Sequence, residues 1–205
     1  VFFTDVNTGY VCGNNGTIYK TIDGGSTWTS QISGTTKNLY SIFFTNSNTG
    51  YIVGGSHISF ENPTQIILKT VNGGSTWTAQ SSGTSYELRS VYFTDVDNGY
   101  AAGVGGKLFH TSNAGATWKS MESGTKNDLW SIFFTDENTG YIAGDFGTIL
   151  KTTNAGGFVN IKDIEASGSI INIYPNPAKN TINISIPKEL QSNTIVSIVT
   201  LNGQV

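Results

Sequence analysis

With 205 residues and a formal net charge of −3, the chain can hold one sizeable core, or a larger and a smaller domain. It has no basic surplus of the kind that neutralises nucleic-acid phosphates. Its 25 glycines and 12% charged residues suit short strands joined by tight turns, and no apolar run approaches the roughly 18 residues of a membrane span. The single cysteine, Cys12, excludes an intramolecular disulfide and a cysteine-based metal cluster, and reads as a small apolar strand residue.

In chain order, the first element is the run Phe2-Phe3-Thr4-Asp5 leading to Gly9-Tyr10. It returns at Phe43-Phe44-Thr45-Asn46, at Tyr92-Phe93-Thr94-Asp95 and at Phe133-Phe134-Thr135-Asp136. The tyrosines that close each copy, Tyr10, Tyr51, Tyr100 and Tyr141, are spaced by 41, 49 and 41 residues, with about eight extra residues near His57 to Gln65 in the long interval. Each unit reads as four short strands. In the second, these are Leu39 to Thr45, Tyr51 to Gly54, Gln65 to Thr70 and Thr76-Trp77-Thr78. Asn14-Asn15-Gly16 marks the middle turn of the first unit, because Asn and Gly both tolerate positive φ. Repeats of four strands in about 41 residues predict an all-β fold of β-propeller blades. Blade one lacks the lead-in that precedes Ile42, Val91 and Ile132, and the chain opens inside a repeat. The expectation is an arc of a larger propeller with further blades upstream and two exposed blade faces.

The turn between the third and fourth strands carries a second repeated motif. Thr21-Ile22-Asp23-Gly24-Gly25-Ser26-Thr27-Trp28 recurs at Thr70 to Trp77 and at Thr111 to Trp118. The fourth copy, Thr152-Thr153-Asn154-Ala155-Gly156, breaks off, with Phe158 near the place of the tryptophan. These turns resemble the Asp-boxes of bacterial-neuraminidase-repeat (BNR) propellers. Together with the flanking Phe-Thr-Asp and Gly-Tyr motifs, they resemble the photosystem II stability and assembly factor-like family. An assembly role carried over from photosynthetic relatives fits poorly with an exported protein.

Beyond residue 160 the composition changes. Residues 161–169 read as a linker, and three of the four prolines lie in 170–205. Tyr174-Pro175-Asn176-Pro177, then Ile182 and Ile184 in a strand of period two over Thr181 to Ile186, then a strand from Thr194 to Leu201 and the turn Asn202-Gly203, resemble the start of a type A C-terminal sorting domain of the type IX secretion system. That resemblance implies a partial β-sandwich module, contact with the secretion machinery through Tyr174 to Pro177, and a secreted or cell-surface protein of a Bacteroidetes-type bacterium.

No cofactor, metal site or catalytic residue is implied. Sialidases, where Asp-boxes are familiar, hold a substrate carboxylate with three arginines, and this chain has only Arg89. Asp5, Asp95 and Asp136 recur once per unit and read as turn-formers. Glu61, Asp128 and Asp145 lie outside repeat slots, but nothing pairs them as a glycosidase requires. His57 and His110 lack metal-ligand spacing, and His110 shares a slot with Lys20, Lys69 and Lys151 that reads as solvated. The candidate binding residues are Tyr40, Arg89 and Trp130. They vary between a fixed Leu (Leu39, Leu88, Leu129) and a fixed Ser (Ser41, Ser90, Ser131), and they are residue types that stack on sugars or anchor partner proteins. Packing between blades is the competing explanation. Phe60 and Glu61, in the long insertion, are candidate loop contacts. The reading is a recognition or scaffold propeller for a glycan or cell-surface protein. The alternative is a fragment of a polysaccharide-active glycoside hydrolase with its catalytic residues on missing blades.

Overall fold

The structure, a computed structural model, describes residues 1–56, 64–81, 83, 85–160, 172–174 and 183–185. It divides into two units, Val1–Ile161 and Lys162–Val205. In the second unit, β17 (Asn172–Tyr174) pairs antiparallel with β18 (Asn183–Ser185). The strand expected at Thr194 to Leu201, its turn, and Pro175 to Pro177 lie outside the described residues. No helix among the described residues is long and apolar enough to cross a membrane.

The first unit is four antiparallel sheets of four strands, each wound in sequence order. Blade 1 holds β1 (Phe2–Phe3), β2 (Gly9–Cys12), β3 (Ile18–Thr21) and β4 (Thr29–Gln31). Blade 2 holds β5 (Asn38–Phe44), β6 (Gly50–Ser56), β7 (Thr64–Thr70) and β8 (Thr78–Gln80). Blade 3 holds β9 (Leu88–Phe93), β10 (Asn98–Gly103), β11 (Leu108–Ser112) and β12 (Lys119–Met121); blade 4 holds β13 (Leu129–Phe134), β14 (Gly140–Gly144), β15 (Ile149–Thr152) and β16 (Val159–Asn160). The fourth strands begin after the tryptophan, later than the sequence suggests, because Thr76 and Trp77 are consumed in closing the preceding turn. In blade 2 the insertion is accommodated by a longer hairpin, in which β6 and β7 stay paired out to Ser56 and Thr64.

The blades are held together by aromatic rings that repeat with the sequence. The last Phe of each innermost strand stacks on the Tyr of the preceding blade: Phe44 on Tyr10 at 4.1 Å, Phe93 on Tyr51 at 4.0 Å and Phe134 on Tyr100 at 4.5 Å. Each such contact is worth about 0.5–1.5 kcal/mol beyond the area it buries. The box tryptophan meets the same ring edge-on, as Trp77 does on Phe44 and Trp118 on Phe93. In blade 4, Phe158 takes that place against Phe134 at 6.1 Å, so the degraded box still closes the core. The glycine before each Tyr is required by the same ring, since a Cβ on Gly99 would lie 2.5 Å from Phe93. In blade 1, Phe3 is 43% exposed and meets Trp28, 38% exposed, edge-on at 6.2 Å.

Candidate functional site

Each Asp-box is closed by hydrogen bonds among its own residues. Thr21 Oγ1 accepts from the Gly25 N–H at 2.9 Å and donates to Asp23 Oδ1, which also accepts the Thr27 N–H at 2.8 Å. Thr27 Oγ1 donates to the second carboxylate oxygen at 2.6 Å. The hydroxyl and amide of Thr27 and the hydroxyl of Thr21 hold the Asp23 carboxyl down to about 2. In blades 2 and 3 an Asn replaces the Asp and donates its amide to the same threonine, from Asn72 to Thr76 and from Asn113 to Thr117.

The closed box then receives the preceding blade. Tyr10 donates its hydroxyl to the Gly73 carbonyl at 2.9 Å, Tyr51 to the Ala114 carbonyl at 2.8 Å, and Tyr100 to the Ala155 carbonyl. Lys20 and Lys69 donate to the same Gly73 and Ala114 carbonyls, at 2.8 and 2.6 Å. Burial and the Asp97 carboxylate push the Tyr51 phenol up to about 12, so it remains a donor. The lysine slot is therefore a bridge between blades rather than a solvated position. His110, in that slot on blade 3, is half-buried beneath Tyr100, with its Nε2 enclosed and without a hydrogen-bond partner among the described residues. The expectation of a solvated His110 is thereby corrected: its ring lies against Tyr100 and its Nε2 is enclosed.

The repeated carboxylates behave as turn-formers. Asp5, Asp95 and Asp136 each accept two backbone N–H groups, as Asn46 does. Those bonds hold the carboxyls of Asp5 and Asp136 below their ordinary value. Asp128 accepts the Gly105 N–H at 2.8 Å and Asp145 the Trp130 indole N–H at 2.6 Å. Glu61 and Phe60 lie outside the described residues. Cys12 is half-buried, and burial pushes its thiol up to about 11.

At the opposite end of the inner strands, Tyr40, Arg89 and Trp130 come together. The Arg89 guanidinium lies 4.2 Å from the Tyr40 ring centre and 4.8 Å from that of Trp130, forming one stack across three blades. The backbone explains the alignment. Pairing in blade 2 steps from Leu39 to Ser41, in blade 4 from Leu129 to Ser131, and in blade 3 Gly103 and Ala102 pair with Leu88 and Ser90. Each variable residue is thus the extra residue of a β-bulge, a device that re-aims a side chain away from the pleat. The fixed serines lock neighbouring inner strands, Ser41 Oγ accepting the Val91 N–H at 3.2 Å and Ser90 Oγ the Ile132 N–H at 3.1 Å.

One residue of this site escaped sequence reasoning. Glu87 is only 3% exposed and forms an ion pair with Arg89, neutralising the charge in the middle of the stack. Its signal was present in the chain: the slot before the fixed Leu holds Asn38, Glu87 and Asp128, all able to accept hydrogen bonds. Asn38 and Asp128 accept the N–H groups of Asn15 and Gly105 in the preceding blades. Tyr40 is half-buried, while Trp130 is 44% exposed and forms the accessible end of the stack.

Four Asp-box sheets, joined box to tyrosine and strand to strand, define an unclosed arc of a β-propeller with a cross-blade aromatic and arginine stack at one end. The family model described as photosynthesis system II assembly factor YCF48 matches residues 1–61 and 34–188, and the chain belongs to that family. Residues 172–205 match the model of the secretion system C-terminal sorting domain. A search of curated proteins finds no match. Among solved structures, YCF48 from Cyanidioschyzon merolae is 17% identical, covering 82% of this chain and 59% of its own, at a TM-score of 0.55. An ancestral GH74 enzyme is 20% identical, covering 76% of this chain and 22% of its own, at 0.59. The GH74 enzyme of Niastella koreensis is 18% identical, covering 75% and 28%, also at 0.59. These likenesses establish the fold, and the chain spans less than two thirds of each of those three proteins.

Proposed function

We propose that the protein is an exported, non-catalytic recognition propeller, and that its ligand surface is built on Tyr40, Arg89 and Trp130. The observation that carries this reading is the placement of three different large side chains on three successive β-bulges, in register, with the Trp130 ring left open. Packing alone needs no variation at a slot whose neighbours are constant. Because Glu87 neutralises Arg89 and the Asp145 carboxylate lies at the Trp130 edge, the stack offers a flat, polarisable face with no net positive charge rather than an anion clamp. Such a face suits the apolar side of a neutral sugar ring, or an aromatic or proline side chain of a protein. A neutral glycan is the reading we favour, since Asp145 fixes the indole edge and leaves its face available.

Export rests on the sorting-domain match over residues 172–205, and we assign it to a type IX secretion system, hence to a Bacteroidetes-type cell and a secreted or cell-surface location. The alternative, a glycoside hydrolase fragment with its catalytic residues on missing blades, is not better supported, and the carboxylates of this arc lend it nothing. Asp5, Asp95, Asp136, Asp128 and Asp145 are each occupied with hydrogen bonds that shape turns or fix a side chain.

The test is a glycan and polysaccharide binding screen of the full chain alongside Trp130→Ala. Binding lost in the variant, with the melting temperature retained, supports the site. Binding that survives the substitution, or none in the wild type, overturns it. Arg89→Ala is unsuitable for this purpose because it strands Glu87 in the interior.

A further inference from the structure

The middle turn of each blade, between its second and third strands, opens at the same end as the bulges. In blade 4 this turn is Gly144-Asp145-Phe146-Gly147-Thr148, and Gly144 pairs with Leu129, the residue before Trp130. Its Gly144 N–H donates to the Thr148 carbonyl at 2.8 Å and its Thr148 N–H to the Asp145 carbonyl at 3.0 Å. Blades 1 and 3 close the turn in the same way, Gly13 and Thr17 donating in one and Gly103 and Lys107 in the other. The central residue has a left-handed backbone in all three, with φ of +55° at Asn15, +69° at Gly105 and +54° at Phe146.

Asn and Gly suit that conformation, whereas the Cβ of a bulky residue crowds the following carbonyl oxygen there. The other non-glycine residues of positive φ among the described residues are Asn15, Ala114 and Ala155, so Phe146 alone carries a large side chain into it. The ring buries almost nothing, since Phe146 is 93% exposed. A single exposed phenylalanine is ordinary, but one held in an unfavourable backbone breaks the turn chemistry of its own repeat without a packing gain. Nor does the slot await a neighbouring blade. Where a blade docks on it, the backbone is what is used: the Asn15 N–H donates to Asn38 Oδ1 and the Gly105 N–H to Asp128 Oδ1, while Asn15 remains exposed.

The turn is instead tied to the stack. Asp145, the residue before Phe146, accepts the Trp130 indole N–H at 2.6 Å. Consecutive Cα atoms are about 3.8 Å apart, so the Phe146 side chain starts beside the carboxylate that fixes Trp130.

We propose that Phe146 is a second aromatic platform of the surface that holds Trp130, and that this surface takes an extended, neutral glycan chain across the two rings. The inference rests on the stack being a glycan site. Each ring suits the apolar face of one sugar, and the Asp145 carboxylate has a second oxygen able to accept a sugar hydroxyl. The same carboxylate opposes uronic acids and sulfated sugars. Two platforms on one turn favour a chain over a single sugar, because the second contact is made intramolecularly once the first has formed.

The experiment is calorimetric titration of the full chain with neutral cello-, manno- and laminari-oligosaccharides of two and six units, on the wild type, Trp130→Ala, Phe146→Asn and Phe146→Tyr. In the series that binds, the hexasaccharide should bind about tenfold tighter than the disaccharide. Phe146→Asn should weaken the hexasaccharide about fivefold and leave the disaccharide unchanged, while Phe146→Tyr keeps both. Trp130→Ala should lose both. Because asparagine suits the left-handed turn, Phe146→Asn should also raise the melting temperature by about 2 °C. A hexasaccharide bound no tighter than the disaccharide, or bound equally by wild type and Phe146→Asn, overturns the second platform even where Trp130→Ala abolishes binding. So does a lower melting temperature in Phe146→Asn, which would make the ring a structural element. No binding in the wild type, or binding indifferent to Trp130→Ala, overturns the glycan site itself and this inference with it.

Discussion

The Asp-box end of the blades and the bulge end are built from the same repeat yet follow different rules. At the box end the contacts recur almost unchanged: Tyr onto carbonyl, Phe onto Tyr, Trp or Phe158 onto Phe. At the bulge end a constant frame of Leu and Ser presents Tyr40, Arg89 and Trp130 in turn. The difference separates what an arc of blades must conserve within itself from what it is free to vary. An interface that loses one ring loses a stacked and an edge-on contact together, whereas a bulge residue is unpaired in the ladder and can change without disturbing register.

The sharpest way to break this comparison is to remove one ring from two blades. Phe93 is 3% exposed, stacked on Tyr51 and met edge-on by Trp118. Phe93→Ala should destabilise by about 3–5 kcal/mol in urea unfolding. Phe134, 3% exposed, stacked on Tyr100 and met edge-on by Phe158 in place of a tryptophan, should cost a similar amount when truncated. A much smaller loss at Phe134 would show that Phe158 does not replace the box tryptophan.

At the bulge end the largest effect should come from charge rather than from rings. Arg89→Ala leaves the Glu87 carboxylate enclosed without its partner, which should cost about 3 kcal/mol at neutral pH. The double variant Glu87→Gln/Arg89→Met, which removes both charges while keeping side-chain length, should be less destabilised than Arg89→Ala. A double variant as unstable as Arg89→Ala would mean that stacking, not the ion pair, holds this residue in place.

A smaller change probes the docking bonds. Tyr51→Phe removes one donor to the Ala114 carbonyl, which Lys69 still satisfies, so the loss should be about 1 kcal/mol. Tyr100→Phe should cost more, because no lysine covers the Ala155 carbonyl. The order of these two variants, read by chemical denaturation, tests whether Lys69 is a real second staple.

Most of this architecture was legible in the chain because the repeat supplies its own alignment. Three in-register boxes and four Phe-Phe or Tyr-Phe pairs fixed blade and strand order, and the break after Gly156 correctly marked Phe158 as the substitute ring. The variable slot was visible for the same reason. Its geometry was not, because a bulge is a mismatch between two strands and leaves no mark in either alone. The lysine slot misled for a related reason. A lysine on a short strand reads as solvated, and only the next blade, some fifty residues later, converts it into a bridge to Gly73 or Ala114. Glu87 was missed because its partner could be recognised only after Arg89 was known to turn inward.

The smallest predicted effect separates the boxes from one another. Asp23 has its carboxyl held down to about 2, against an ordinary value of 3.8, by its bonds from Thr27 and Thr21. A carboxyl lowered by folding favours the folded turn above its ordinary value, and that contribution disappears as pH falls toward 2. The boxes of blades 2 and 3 use Asn72 and Asn113, which do not titrate. Acid should therefore loosen the first box before the other two. The amide proton of Thr27 should show a titration step with a midpoint near pH 2, while those of Thr76 and Thr117 stay flat over the same range. Asp23→Asn should erase the step without altering the fold, since asparagine already serves that position in the adjacent blades. Identical titration at all three threonines would show that the acid response is global and that the charge of Asp23 has no local role.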